Sequence, residues 1–265
     1  MTRTLQRSTA HLSGSRRLIA AHAAVTALGG LVPIPFIDDQ LPSLVKRAMI
    51  RRIAEARRID IDEDAVRIIA EGRVSGPSWR DLLSLGTFVR SARRSVRAAF
   101  MAYALYRRAE SASRTFALGT LFDHYCARHH TGLGIDAERA RELRGRIERA
   151  LDEGGANLGS YAFRRGLTAV ARATLRAPVE IARALSWTRL PRLRGKDKDK
   201  DKDKDGDDVA IEAEAEELVE ETIDHELAAR RSFLGRMARS ADEQLSSLGN
   251  GWIDGLLAAF EGEVP

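Results

Sequence analysis

The segment Asp123-His-Tyr-Cys-Ala-Arg-His-His130 holds three of the six histidines and the single cysteine of this 265-residue chain. If the segment is helical, Cys126 and His130 lie four apart on one face, a spacing that can bind a transition metal. Zinc takes four ligands, or three and a water. His124 falls off the Cys126–His130 face, and no second cluster in the sequence completes the shell. His129 and His130 have a plainer use where this helix ends, because positive charge is favoured at a helix C-terminus. Capping is the better reading, and no metal is assigned.

A second pattern lies in Asp201-Lys-Asp203-Lys-Asp205-Gly206-x5-Glu212, which reproduces the acidic positions, glycine and final glutamate of an EF-hand calcium loop. An alternating Lys-Asp tract supplies those aspartates by composition alone. The eighth loop position, normally aliphatic, is Asp208, and the preceding helix ends near Pro191, well before the loop. The tract from Gly195 to Asp208 is therefore read as a solvated, flexible linker. No Ser/His/Asp nucleophile context, paired-carboxylate site or G-x-x-x-x-G-K-[ST] loop is present, so the expectation is a protein without catalytic activity or cofactor.

Residues 158–190 read as a long basic amphipathic helix, restarted or kinked at Pro178. Phe163, Leu167, Val170, Ile181 and Leu185 gather on one side and Arg165, Arg172, Arg176 and Arg183 on the other. Such a helix can lie on an anionic membrane with its arginines at the headgroups, or pack its apolar face on the body as an ordinary surface helix. Nucleic-acid binding would need a recognisable module or aromatics interleaved with the basic residues, and neither is found.

Leu18 to Ile37 is the longest stretch without a formally charged residue apart from His22, and it ends in Gly30-x-x-Pro33-x-Pro35-x-x-Asp38. The prolines fix φ and remove two backbone donors, so a helix entering from Arg17 is expected to stop near Leu31. About 20 apolar residues are needed to cross a bilayer, and the prolines leave roughly 14. A buried core helix and an interfacial hairpin fit equally well, and a full span fits least. Asp38 or Asp39 serves as a helix cap.

That segment, followed by Met49-Ile50-x-x-Ile53-Ala54, resembles a bacterial membrane-associated helical family of unknown function, GTPase-associated or EcsC-like. The match covers about 40 residues. The resemblance implies membrane association, with Gly30, Pro33, Pro35 and Asp38 at the interface, and it implies no chemistry. The chain departs from the family in continuing Glu-Ala-Arg-Arg after Ala54, where a Tyr-Gly pair is usual, and in lacking the nucleotide loop.

The elements that position these residues read as an all-α, multi-helix bundle with a flexible charged linker and a helical C-terminal tail. Helices are expected from Arg16 to Leu31, from Asp38 or Asp39 to about Arg58, and from Asp62 to Gly72. Others run from Ser78 to Tyr106, over 110–129 and from Asp136 to about Leu151. The tail follows from Ile211, with a terminal piece carrying Trp252, Leu256 and Phe260. The divisions are 1–194, a basic helical domain; 195–208, the linker; and 209–265, an acidic tail.

The net charge of +5 conceals an asymmetry: residues 1–195 carry +16, the Lys-Asp tract −2 and residues 209–265 −9. A basic body with an acidic tail suggests an anionic partner or a tail that shields the body. The excess is mostly arginine, which genome composition also favours. With one cysteine and no signal-like cleavage site, the chain is expected in the cytoplasm, with a place on the inner face of the cytoplasmic membrane left open. Its expected role is a membrane-associated binding or scaffold module with an unidentified protein partner. A helical protein-interaction protein is the alternative, and a metal protein built on Cys126 and His130 the third choice.

Overall fold

The computed structural model describes residues 12–28, 41–71, 94–129, 132, 134–153 and 251–262, with 221, 223, 235–236, 238–240 and 242–243 as short pieces. Six helices carry the architecture: α1 (Leu12–Leu28), α2 (Leu41–Arg57), α3 (Glu63–Glu71), α4 (Arg94–Arg128), α5 (Ala137–Glu153) and α6 (Gly251–Glu261). No strand occurs among the described residues, and the fold is all-α, as the helical spacing predicts.

The long α4 is the central strut. α1 packs most broadly against it, and α2 lies against both α1 and α4. α3 joins α2 to α5, while α6 sits on α5 and α4. Sequence spacing divides α4 into one helix ending at Tyr106 and another from 110, but the structure has one continuous helix of 35 residues. The intervening Arg107-Arg108-Ala109 contains no glycine or proline, so nothing stops propagation there.

From Ile19 to Ala27 every residue of α1 is buried. Alanine at positions 20, 21, 23, 24 and 27 lets α1 approach its neighbours closely. The closest approach is at Gly119 of α4, where a Cβ would lie 2.8 Å from both Ile19 Cγ2 and Met49 Sδ. Side chains of α1 and α2 therefore meet the α4 backbone at a position that admits only hydrogen. The helical half of the Leu18–Ile37 stretch is thus enclosed by protein. Residues 29–40, including Gly30, Pro33, Pro35 and Asp38, lie outside the described residues, as does the expected helix end near Leu31.

Three buried threonine hydroxyls in this core are satisfied locally. The hydroxyls of Thr26, Thr115 and Thr120 donate to the carbonyls of His22, Ser111 and Phe116, four residues back in each case. His22 Nδ1 lies 2.9 Å from the Leu18 carbonyl, to which it can donate.

The end of α2 is a Schellman turn on an unusual residue. Ile59 N donates to Ala54 O and Arg58 N to Glu55 O, each at 2.9 Å, while Arg58 takes the left-handed φ of 56° usually filled by glycine. The chain emerging from this turn pairs with the chain entering α5. Ile135 N donates to Asp60 O at 2.9 Å, and Asp62 N to Ile135 O at 3.2 Å. One isolated parallel bridge, Ile61 with Ile135, therefore fastens the α2–α3 corner to the α5 entrance. Helix α5 starts as the sequence indicates, with Asp136 Oδ1 accepting from Arg139 N at 2.8 Å.

The described tail residues share the body's core. Ile223, Ala238, Trp252, Ile253, Leu256, Leu257 and Phe260 belong to one buried apolar cluster with α1 to α5. Trp252 lies 5.8 Å from Phe116 between ring centroids. Each large side chain buried this way is worth about 1.5–3 kcal/mol of transfer free energy. Arg16 Nε meets Asp242 Oδ1 at 2.8 Å, a second link between body and tail.

Candidate functional site

The last turns of α4 present two faces that carry different chemistry. Thr115, Gly119, Phe122 and Cys126 form the inner stripe, and Asp123 is placed on it by the same spacing. The Asp123 carboxylate is 1% exposed. Arg57 at the end of α2 grips it through Nε to Oδ1 at 2.8 Å and Nη2 to Oδ2 at 3.0 Å. Ser15 Oγ donates to Oδ2 at 2.5 Å. This carboxylate consequently ties α1, α2 and α4 together, and the hydrogen bond raises the Arg57 guanidinium above its ordinary value. Cys126 is buried beside the pair, and desolvation, followed by the Asp123 charge, pushes its thiol well above the usual range. A thiol held protonated is a poor nucleophile and a poor zinc ligand at neutral pH.

The second face meets the C-terminal helix. His124 is wholly buried, and its Nε2 stands 3.0 Å from Glu261 Oε1 at the end of α6. Arg128 Nη1 donates to the same oxygen at 2.6 Å. His129 follows one turn after His124, held by its backbone N donating to Tyr125 O at 2.9 Å. Its ring stacks on Tyr125 with centroids 6.3 Å apart, and the His124 ring is edge-on at 5.8 Å. Phe260 closes the group at 6.3 Å from both histidines, and the Arg146 guanidinium of α5 lies 4.7 Å over the Phe260 ring. One ligand atom each from His124, His129 and Glu261 lies within 4.8 Å of the others.

Burial lowers the His129 imidazole below its ordinary value, the Arg146 charge adds to this, and Glu261 opposes it. The shift runs against a charged cap at His129, while His130, the other residue of that reading, lies outside the described residues. His129 Nε2 is buried and has no hydrogen-bond partner among the described residues. Cys126 lies beside the Asp123–Arg57 pair, and His130, its expected partner in a metal site, lies outside the described residues.

A third, lysine-centred group sits between α2, α4 and α5. Burial, then the charges of Arg144 and Arg114, lower the Lys46 amine to about 8, with Glu71 opposing. Glu71 is paired with Arg47, and Arg144 donates to the Ile69 carbonyl at 2.6 Å.

Sequence reasoning placed His124 off the metal face and found no partner for it. The missing partner is Glu261, 137 residues away, for which no local spacing gives a signal. Asp123 has no role in the sequence reading, although an acid on the apolar Thr115–Cys126 stripe must be paired when buried, which is the signal that points to it. Arg165, Arg172, Arg176 and Arg183, and the calcium-loop positions Asp201, Asp203, Asp205 and Glu212, lie outside the described residues. No helix among the described residues is long and apolar enough to cross a membrane. No family model, curated protein or solved structure matches the chain.

Proposed function

We propose that the chain is a non-catalytic helical binding module whose basic body engages an anionic membrane face peripherally, with its acidic tail helix occupying part of that body when the surface is absent. The observation that carries this reading is the seat of Glu261 on His124 and Arg128. An acid from the −9 tail there neutralises a cation of the +16 body. The Arg16–Asp242 pair repeats the pattern at a second place. Exposed Arg17, Arg58, Arg114, Arg141 and Arg149 leave further cationic surface on the body. Each such residue near an anionic leaflet contributes about 1 kcal/mol, screened within a Debye length. The resemblance of the Gly30–Asp38 segment to membrane-associated helical proteins supports the same role.

The test is co-sedimentation of the full chain with phosphatidylglycerol vesicles at low and high salt. Binding should weaken with salt and strengthen several-fold in Glu261→Ala, which removes a tail carboxylate from the basic body. Indifference to anionic vesicles at low salt, in the parent and in Glu261→Ala alike, would refute the proposal.

One observation favours a second reading, a helical protein-interaction module that works away from lipid. Ile19–Ala27, the helical part of the most apolar stretch, is already enclosed by protein. Fractionation of cells separates the two readings by whether the protein pellets with membranes and is released by alkaline carbonate.

A further inference from the structure

We infer that His124, His129 and Glu261 form a binding site for a divalent transition ion of the zinc class, which clasps the C-terminal helix to the body. The three side chains belong to two elements that only the fold brings together, and their ligand atoms already converge within 4.8 Å. Zinc bonds of about 2.0–2.2 Å place neighbouring tetrahedral donors roughly 3.3–3.6 Å apart. The His124 Nε2 to Glu261 Oε1 separation of 3.0 Å is close to that range, so the remaining adjustment is within reach of side-chain rotation. Two imidazoles and one carboxylate are a donor set that zinc accepts, with water completing four positions.

The surroundings suit the donors. The His129 Nε2 is buried with no hydrogen-bond partner among the described residues, so a ligand atom stands there without a protein group to satisfy it. His124 Nε2 stands at hydrogen-bond distance from Glu261 Oε1, so an ion bound there takes the place of the Nε2 proton and leaves the ring its proton on Nδ1. Arg128, donating to Glu261 Oε1, fixes the carboxylate as an outer partner does in metal sites. A second anion would meet the like charge of Glu261, which already faces the Arg128 guanidinium, although the Arg146 guanidinium of α5 also lies near the site. Those guanidiniums oppose the ion, so the site binds less tightly than a four-ligand structural zinc site.

The experiment is calorimetric titration of the full, metal-stripped chain with zinc chloride, with cobalt(II) absorption as a second readout. One zinc should bind per chain, with a rise in Tm and a cobalt spectrum free of thiolate charge transfer. His129→Ala and Glu261→Gln, both on side chains at the rim, should abolish that binding while circular dichroism stays unchanged. His130→Ala and Cys126→Ser should retain it. Arg146→Leu should tighten it several-fold by removing a repelling charge. Absence of stoichiometric zinc binding would overturn the site, as would binding that survives both His129→Ala and Glu261→Gln. Weaker zinc binding in Arg146→Leu, or a Tm raised by inorganic phosphate and not by zinc, would overturn it in favour of an anion pocket.

Discussion

Arg57 and Asp123 meet through two parallel contacts of 2.8 and 3.0 Å, with the carboxylate almost wholly buried and the guanidinium partly in water. This asymmetry sets the order of mutational costs. Arg57→Ala leaves a buried charge that has lost its counter-ion, which costs about 3–5 kcal/mol. Asp123→Asn keeps an acceptor for Ser15 and leaves Arg57 able to reach solvent, so it should cost less. Urea unfolding of both variants measures the difference. Equal, small losses below about 1 kcal/mol would show that the pair does not hold α1, α2 and α4 together.

Gly119 sets the spacing of three helices. Alanine there should gain helix propensity of about 1 kcal/mol but force its Cβ against Ile19 and Met49 at 2.8 Å. Overpacking of this kind costs about 1–3 kcal/mol, so net destabilisation is expected. Combining Gly119→Ala with Met49→Val should recover part of the loss, because the Met49 sulfur is one of the two obstacles. A stabilised Gly119→Ala would contradict the close approach of α1 to α4.

Arg58 holds a left-handed backbone conformation for which its side chain offers no evident compensation. Arg58→Gly should therefore stabilise the end of α2, by up to about 1 kcal/mol, read as a Tm increase. A loss of stability would mean that the exposed side chain contributes more than the backbone strain costs.

Lys46 gives the clearest pH signature. Its lowered value means that the folded chain binds this proton less tightly than the unfolded chain does. Stability from this group is therefore greatest above the ordinary value of 10.5, falls as pH drops towards about 8, and is lowest and flat below that. Lys46→Met removes the penalty and should stabilise the protein at pH 7 by roughly 1–3 kcal/mol, with the gain shrinking towards pH 10. Thermal melts at the two pH values test this. An equal loss at both would show that the amine is comfortably solvated.

Much of the fold was legible because helix-making signals are local. The Asp136 cap, the acidic first turn of α3 and the Ala-rich α1 follow from neighbours in the chain. The expected break in α4 between Tyr106 and residue 110 does not occur, since Arg107-Arg108-Ala109 holds no glycine or proline. The site was legible only by half. His124 and His129 were visible as a cluster, yet their role depends on Glu261, which burial of Trp252, Leu256 and Phe260 delivers from the far end of the chain. The lowering of His129 likewise depends on burial and on Arg146 of α5, neither of which spacing within one helix reveals.

The central claim is that the acidic C-terminal helix is seated on the basic body and yields to an anionic surface. Hydrogen exchange of the full chain, with and without phosphatidylglycerol vesicles, tests it most directly. Amides of Gly251–Glu261 should be protected like those of Ala137–Glu153 in solution and lose that protection when vesicles are added. Free-peptide exchange of Gly251–Glu261 in solution, or protection that vesicles leave unchanged while the protein is bound to them, would contradict the account.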